Sequence, residues 1–281
     1  MTAAACSPAP SPSVGLLAAL LEARAGQTLS PERLWRVETS LKPLLRERGL
    51  ETLDQLVALL PGDGVAGLGD RIVDALLNGE TSFFRDPATF DAVGEAVVAA
   101  EARGRRARVW SAGCSTGQEP LSLAMIFAER AEESGAPMPH LVATDLSQAA
   151  LARAQEAVYN QFEMQRGLPI RRALRWFEAL PNGDWRADPA IARVIAYRRL
   201  NLVSPGWNVG SFDVILCRNV LLYLTAERRA AVFERLAASL RPGGVLVLGA
   251  GETVIGQTDL FEPSRSLRGV YQRTEAARAA A

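Results

Sequence analysis

Residues 108–120, RVWSAGCSTGQEP, limit what this chain can fold into more than any other stretch. A short apolar run with β-branched Val109 and aromatic Trp110 reads as a strand. It breaks at Ser111 into a loop of small residues carrying Gly113 and Gly117, and helix-forming sequence resumes at Gln118-Glu119-Pro120 and LSLAMIFAERAEE. Strand, small-residue loop and helix place a nucleotide-like ligand over the carboxyl edge of a parallel sheet. Glycines let the backbone approach that ligand closely, and the helix start offers unpaired N–H groups. The spacing is G-x-x-x-G rather than G-x-G-x-x-G, and the Glu119 carboxylate would repel a pyrophosphate while suiting a ribose or an amine. That favours a cofactor without phosphates over NAD, the obvious one being S-adenosylmethionine. A glycine pair behind a strand also serves as a plain tight turn, so the loop alone leaves both readings open.

Composition narrows the remaining classes. The chain has 281 residues, enough for one large domain and a small one. Lysine plus arginine equals aspartate plus glutamate at 31 each, so no overall field points to nucleic acid or a membrane surface. Cys6, Cys114 and Cys217 form no C-x-x-C pair and no disulfide framework, and packed, reduced thiols are expected at Cys114 and Cys217. The single histidine, His140, excludes most zinc constellations and reads as a strand-edge residue, so no metal site is expected. No run of 18 apolar residues and no basic region ahead of an apolar N-terminal stretch occurs, so neither a membrane span nor a signal peptide is expected, and a cytoplasmic compartment is the default.

Taken in order, residues 1–12 are small and proline-rich and read as a disordered tail. Residues 13–77 carry apolar positions at helical spacing: Leu16, Leu17, Leu20 and Leu21, then Leu34, Val37, Leu41, Leu44 and Leu45, then Leu53, Leu56, Leu59 and Leu60, then Ile72, Val73, Leu76 and Leu77. Ser30-Pro31-Glu32-Arg33 and Thr52 supply helix starts, giving a small bundle of about four helices. Its second helix carries Arg33, Arg36, Lys42, Arg46 and Arg48, either a solvated face or a docking surface for an acidic partner. Residues 78–90, NGETSFFRDPATF, join this domain to the next. Phe83 and Phe84 are either a staple between the domains or part of a ligand clamp. From residue 91 helices and strands alternate: a helix over 88–103, RVWSAG, the helix after Pro120, HLVATD to Asp145, a helix from Ser147 to Val158, RRLNL over 198–202, FDVILCRN over 212–219, a helix over about 225–240, VLVLGA over 245–250, and a closing antiparallel strand over 266–273. This alternation predicts an α/β domain with a mostly parallel sheet covered by helices on both faces. Residues 159–196 interrupt it, reading as an inserted helix and short hairpin.

Asp145, at the end of the second strand, is placed to accept hydrogen bonds from ribose hydroxyls, or else to cap the helix that follows. Arg218 and Asn219 end the fourth strand at the lip of the same cleft. CRNVLLYL holds no (D/N)-P-P-aromatic run of the kind that methylates nucleobase amines, in keeping with the neutral charge balance.

GETSFFRD, VWSAGCSTGQEPLSLAM, ATDLSQAALARA, YNQFEMQRGLP, FDVILCRNVLLYL and RPGGVLVLGAGE, in this order, closely resemble the CheR family of chemotaxis-receptor methyltransferases. The likeness spans nearly everything after about residue 14. It implies a helical N-terminal domain followed, over residues 91–281, by a Rossmann-like class I methyltransferase domain with the 159–196 insertion. The implied reaction is S-adenosylmethionine-dependent methylation of glutamate carboxylates in the cytoplasmic helical domain of chemoreceptors or related signalling proteins, with S-adenosylhomocysteine as product. Nucleic acid and direct membrane insertion fall outside that expectation.

The resemblance also implies roles. Gly79, Thr81 and Arg85 of the clamp would meet the methionine end of the cofactor. Gly113 belongs to the loop beneath it. Glu119 and Asp145 would hold its amino and ribose parts, and Asn201 and Leu202, with Arg218 and Asn219, would line the adenine side and the cleft floor. Tyr223 falls beside the reacting methyl, and Tyr223 and Arg85 are the residues expected to orient the acceptor. Three departures stand out: Gly79 where some members have Asn, Gln118 where a second glutamate is common, and Ala250-Gly251-Glu252 where many have His-Ser-Glu. The insertion lacks a glycine-tyrosine-glycine loop, so recognition without a receptor tether is expected. The altered 250–251 run keeps an alternative open: a non-catalytic relative that binds S-adenosylmethionine or S-adenosylhomocysteine and regulates a partner.

Overall fold

The structure, a computed structural model, describes residues 11–30, 33–61, 67–265, 267 and 269–274. The expected tail lies largely outside these residues, as do Cys6, Pro31 and Glu32. The chain divides into two compact units, residues 1–78 and 79–281. The segment read as a linker therefore belongs, from Gly79 onward, to the second unit.

In the first unit four helices are described: α1 (Pro12–Ala25), α2 (Trp35–Glu47), α3 (Leu53–Ala58) and α4 (Leu68–Leu76). Helix α1 begins inside the stretch expected to be disordered, because Ser11 caps it and Pro12 opens its first turn. Leu17, Leu21, Val37, Leu41, Leu56 and Ile72 are buried together with Val73. Leu16 faces outward instead, since α1 is apolar most of the way round and its spacing does not single out one face. Thr52 and Gln55 form a capping box at α3. The α2 cations Arg36, Lys42 and Arg46 are exposed.

The second unit is built on a seven-stranded sheet in the order β6-β2-β1-β7-β8-β10-β9. Strands β1 (Arg108–Ala112), β2 (His140–Asp145), β6 (Ile195–Arg199), β7 (Phe212–Cys217) and β8 (Leu240–Leu248) run parallel. Strands β9 (Phe261–Pro263) and β10 (Val270–Arg273) close the edge in antiparallel pairing. Side chains alternate across this sheet, as the two-residue period of a strand requires. Val109, Val214, Leu216, Val245 and Val247 face a core shared with α5 (Pro87–Glu101) and α6 (Gln118–Ser134). Trp110, Ile215, Leu246 and Leu248 face a second core shared with α11 (Ala226–Ala238). Both faces are covered, which is why the strands read as continuous apolar runs.

Two strands start earlier than expected. β6 starts at Ile195, where its pairing with Leu141 of β2 begins, so Asn201 lies in the turn beyond it. β8 starts at Leu240 and takes in the Arg241-Pro242-Gly243-Gly244 run read as a helix stop. A Cβ on Gly244 would lie 3.0 Å from the carbonyl oxygens of Phe212 and Asp213, so glycine is what lets this part of β8 approach β7.

Between α7 (Gln148–Glu156) and β6 the insertion folds as β3 (Val158–Tyr159), α8 (Gln161–Gln165), α9 (Ile170–Trp176), β4 (Phe177–Ala179), β5 (Trp185–Ala187) and α10 (Pro189–Ala192), with its own antiparallel sheet β3-β5-β4. It is tied to α6 through Glu129, which accepts from the Arg172 guanidinium at 2.7 to 3.1 Å and from the Trp176 indole at 3.2 Å. At the amino end of β7 the Asp213 carboxylate, fully buried, accepts from Arg105 at 2.6 Å, Arg241 at 2.8 Å and the Arg108 amide at 2.9 Å. Burial raises its pKa, but these partners outweigh burial and hold it below the ordinary carboxylate value. Among the described residues no helix is long and apolar enough to cross a membrane.

Candidate functional site

The loop after β1 is shaped by close approach. Gly113 has φ +84° and an added Cβ would sit 2.5 Å from Val220 Cγ2. Gly117 has φ +92° and a Cβ there would meet Ala154 Cβ at 2.9 Å and the hydroxyls of Tyr159 and Tyr197 at 3.1 Å. Neither position tolerates a side chain without strain. The amides of Gly113 and Cys114 donate to the Thr144 carbonyl at 2.8 and 2.9 Å, so the loop is anchored to the end of β2.

Asp145 completes that anchor. Its Oδ2 accepts from the Ser115 amide at 2.8 Å and its Oδ1 from the Ser147 amide at 2.9 Å. Ser147, not Asp145, caps α7 by accepting from the Ala150 amide. The capping reading of Asp145 is thereby removed. The side chain is half-buried at the carboxyl edge of the sheet.

Glu119, in the first turn of α6, accepts from Ser111 Oγ at 2.7 Å and from Arg218 Nη1 at 2.9 Å. Arg218 Nη2 donates to the Arg85 carbonyl at 2.8 Å and to Asp86 Oδ2 at 2.7 Å. Only 3% of the Arg218 side chain is exposed, and its guanidinium lies 5.9 Å from the Phe90 ring. Arg218, read from the sequence as a cleft-lining residue, thus works as a buttress joining the clamp to the glycine loop. One guanidinium between two carboxylates leaves the cluster with excess negative charge.

Within the segment read as a linker and clamp, residues 79–86 are held by packing and hydrogen bonds. Phe83 is fully buried and packs edge-on against Tyr159 and Phe177 at 5.1 and 5.6 Å. Phe84 packs on Phe90, lies under Arg172 at 4.5 Å, and its amide donates to Ser122 Oγ at 3.0 Å. Both phenylalanines belong to the core of the second unit. Ser115 Oγ donates to the Gly79 carbonyl at 2.7 Å. Phe84 and Asp86 hold positive φ, so the backbone at Arg85 is bracketed by two residues in the left-handed region. Thr81 and Arg85 are half-exposed, and Arg85 Nη1 reaches the Glu80 carbonyl at 3.4 Å.

Behind β7 the backbone turns at Asn219, with φ +58°, into a single 3₁₀ turn over Leu221–Tyr223. Tyr223 is half-buried on this turn. Beyond β6, Asn201 Oδ1 accepts from the Val203 amide at 3.1 Å and Leu202 is buried. Ser111 and Ser115, which tie Glu119 and Gly79 in place, were not among the residues expected from the sequence. Nothing in their spacing marks them.

Among the described residues, the buried thiols and phenols near this loop are poorly suited to take a proton near neutrality. Burial pushes the Cys114 thiol well up, with the charges of Asp145 and Glu119 adding to it, and burial does the same to Cys217. Burial also raises the phenols of Tyr159 and Tyr197. His140 lies at the opposite end of β2 from Asp145, and partial burial and three nearby arginines lower its pKa.

Residues 79–270 match the family model described as CheR methyltransferase, SAM binding domain. The chain belongs to the CheR family. Chemotaxis protein methyltransferase 1 of Pseudomonas aeruginosa is 34% identical over 266 residues, covering 92% of this chain and 97% of that one. Chemotaxis protein methyltransferase Cher2 of Pseudomonas putida is 33% identical over 259 residues, covering 90% and 94%. The chemotaxis protein methyltransferase of Vibrio parahaemolyticus is 34% identical over 260 residues, covering 90% and 93%. This CheR-family chain is an S-adenosylmethionine-dependent methyltransferase. Its residues fit that cofactor. The glycine loop leaves the volume a side chain would fill, and the excess negative charge at Glu119 and Asp86 suits a ligand carrying an ammonium and a sulfonium.

Proposed function

We propose that this CheR-family methyltransferase esterifies glutamate side chains in the cytoplasmic helical domain of a chemoreceptor or related signalling protein, and works in the cytoplasm. The observation that carries the proposal is that, among the described residues, the buried thiols and phenols around the cleft are poorly suited to accept a proton. A methyl acceptor that must first lose a proton needs a base positioned for it. A glutamate carboxylate, with a reference pKa of about 4.3, is already ionised near neutrality and needs none.

In this reading Asp145 holds the ribose hydroxyls and Glu119 the amino group of S-adenosylmethionine. Gly79, Thr81 and Arg85 meet its carboxylate end. Gly113 lets the backbone pass beneath it, and Asn201, Leu202 and Asn219 line the adenine side, with Arg218 holding the clamp against Glu119. When bound, the cofactor supplies an electrophilic methyl on a sulfonium. The work left to the protein is to hold the acceptor oxygen in line at roughly 3 Å and to exclude water. Arg85 and Tyr223 orient that carboxylate. A Tyr223 hydroxyl positions without neutralising, whereas a full ion pair with Arg85 would blunt the nucleophile, so Tyr223 is assigned the closer role. Methylation removes a negative charge from a receptor helix, a change that can bias a two-state signalling element.

Tandem mass spectrometry of a receptor signalling domain after incubation with the enzyme and S-adenosylmethionine tests the reading. Added methyl groups confined to peptides at glutamate side chains support it. Methyl groups on lysine or on the receptor's backbone termini overturn it.

A further inference from the structure

The Glu252 carboxylate lies where five backbone N–H groups converge. Its Oε2 accepts from Asn219 at 2.7 Å and Gly249 at 2.9 Å, and its Oε1 from Leu221 at 2.8 Å, Val220 at 3.0 Å and Leu222 at 3.2 Å. Four of these donors are consecutive amides, residues 219–222, leading into the turn that carries Tyr223. Such amides have no acceptor within a short helical turn of their own. A carboxylate from thirty residues further along the chain supplies it, in charge-assisted bonds of the strong kind.

The fit is tight on every side. A Cβ on Gly249 would lie 2.8 Å from Asn219 Nδ2, 2.9 Å from the Asn219 amide and 2.9 Å from Glu252 Oε2. Asn219 itself takes the left-handed conformation, φ +58°, that turns the chain out of β7. The end of β8, the end of β7 and the 252 side chain therefore form one locked unit, with Tyr223 at its tip.

We infer that Glu252 is a positioning residue for the methyl transfer, fixing Tyr223 and Asn219 by capping the turn between them. The inference rests on the role proposed for Tyr223 and adds the group that holds it there. Glutamine is the decisive replacement. Glu252→Gln keeps the length and shape but brings an NH₂ into a ring of donors, so it loses at least part of the cap without opening a cavity. Glu252→Asp keeps the charge and withdraws it by one methylene.

Two measurements decide it. The first is hydrogen exchange by mass spectrometry on the protein without cofactor, which does not depend on any acceptor. In Glu252→Gln the peptide spanning residues 218–224 is expected to exchange about tenfold faster, with α5, β1 and α11 unchanged, and Glu252→Asp is expected to fall between. Unchanged exchange at 218–224, or equal acceleration across the whole unit, overturns the inference. The second is a kinetic cycle with Tyr223→Phe. Glu252→Gln alone is expected to lower kcat about 30-fold, and to lower it less than about threefold further when Tyr223 is already Phe. A full loss in both backgrounds means that Glu252 does not act through Tyr223. If the wild-type protein methylates no carboxylate, the glutamate reading fails, while the exchange result still decides whether Glu252 holds the turn.

Discussion

At the scale of single residues the proposed roles divide into groups that hold the cofactor and groups that orient the acceptor. Asp145, whose carboxylate fixes the Ser115 amide, is proposed to hold the ribose. Asp145→Ala is expected to weaken S-adenosylhomocysteine binding by about 10- to 100-fold, measured by calorimetry, the loss typical of hydrogen bonds to a charged group. Tyr223 orients. Tyr223→Phe is expected to lower kcat about tenfold or more while the KM for S-adenosylmethionine stays within about threefold. With the proposed carboxylate acceptor, which needs no base, kcat/KM for the receptor should be flat from about pH 6 to 8; a rise through about pH 7 would reveal a general base and contradict the mechanism. The loop glycines and Asp145 were legible in the sequence because strand, loop and helix lie next to one another along the chain. The buttress made by Arg218 was not. Its partners Glu119 and Asp86 are 99 and 132 residues away, and no spacing rule reaches that far. Glu252 is hidden for a related reason: its partners are backbone amides, which carry no residue identity.

At the scale of elements, the turn from β1 into α6 depends on a conformation that only glycine adopts freely. Gly117→Ala should therefore cost about 1–2 kcal/mol from backbone strain alone and should also weaken the cofactor, since its Cβ would press on Ala154 and two tyrosine hydroxyls. Gly135 ends the same helix at φ +69° with open space around it. Gly135→Ala should lose similar stability in thermal unfolding with no change in cofactor affinity. Equal losses of affinity in both variants would mean that the loop is not at the binding site. At the other end of the sheet, Asp213→Ala should destabilise the protein by about 3 kcal/mol near neutral pH, because two arginines and an amide lose their acceptor. The native pKa of Asp213 lies below its unfolded value of 3.8, so its contribution is complete above that pH and is lost as the pH falls through the lower native value. Denaturant titrations should thus show the difference between wild type and variant shrinking only under strong acid. Alternation of side chains across β1, β7 and β8 was readable from their apolar runs. The true start of β6 was not, because pairing with β2, rather than local propensity, sets it.

At the scale of the whole molecule, the family, the cofactor and the α/β architecture converge on methyl transfer in chemotaxis signalling, and a carboxylate is the acceptor proposed for it. The exposed cations of α2, Arg36, Lys42 and Arg46, remain candidates for meeting an acidic receptor surface. Replacing the three by glutamate should raise the KM for the receptor several-fold, and by more at low salt, with the affinity for S-adenosylhomocysteine unchanged. The central claim, that the acceptor is a carboxylate, is tested most directly by transferring a labelled methyl from S-adenosylmethionine to a receptor signalling domain and then applying mild alkali. Protein-bound label released quantitatively as methanol is expected, as an ester requires. Label that stays on the protein through alkali would mean an N-methyl product and would contradict it.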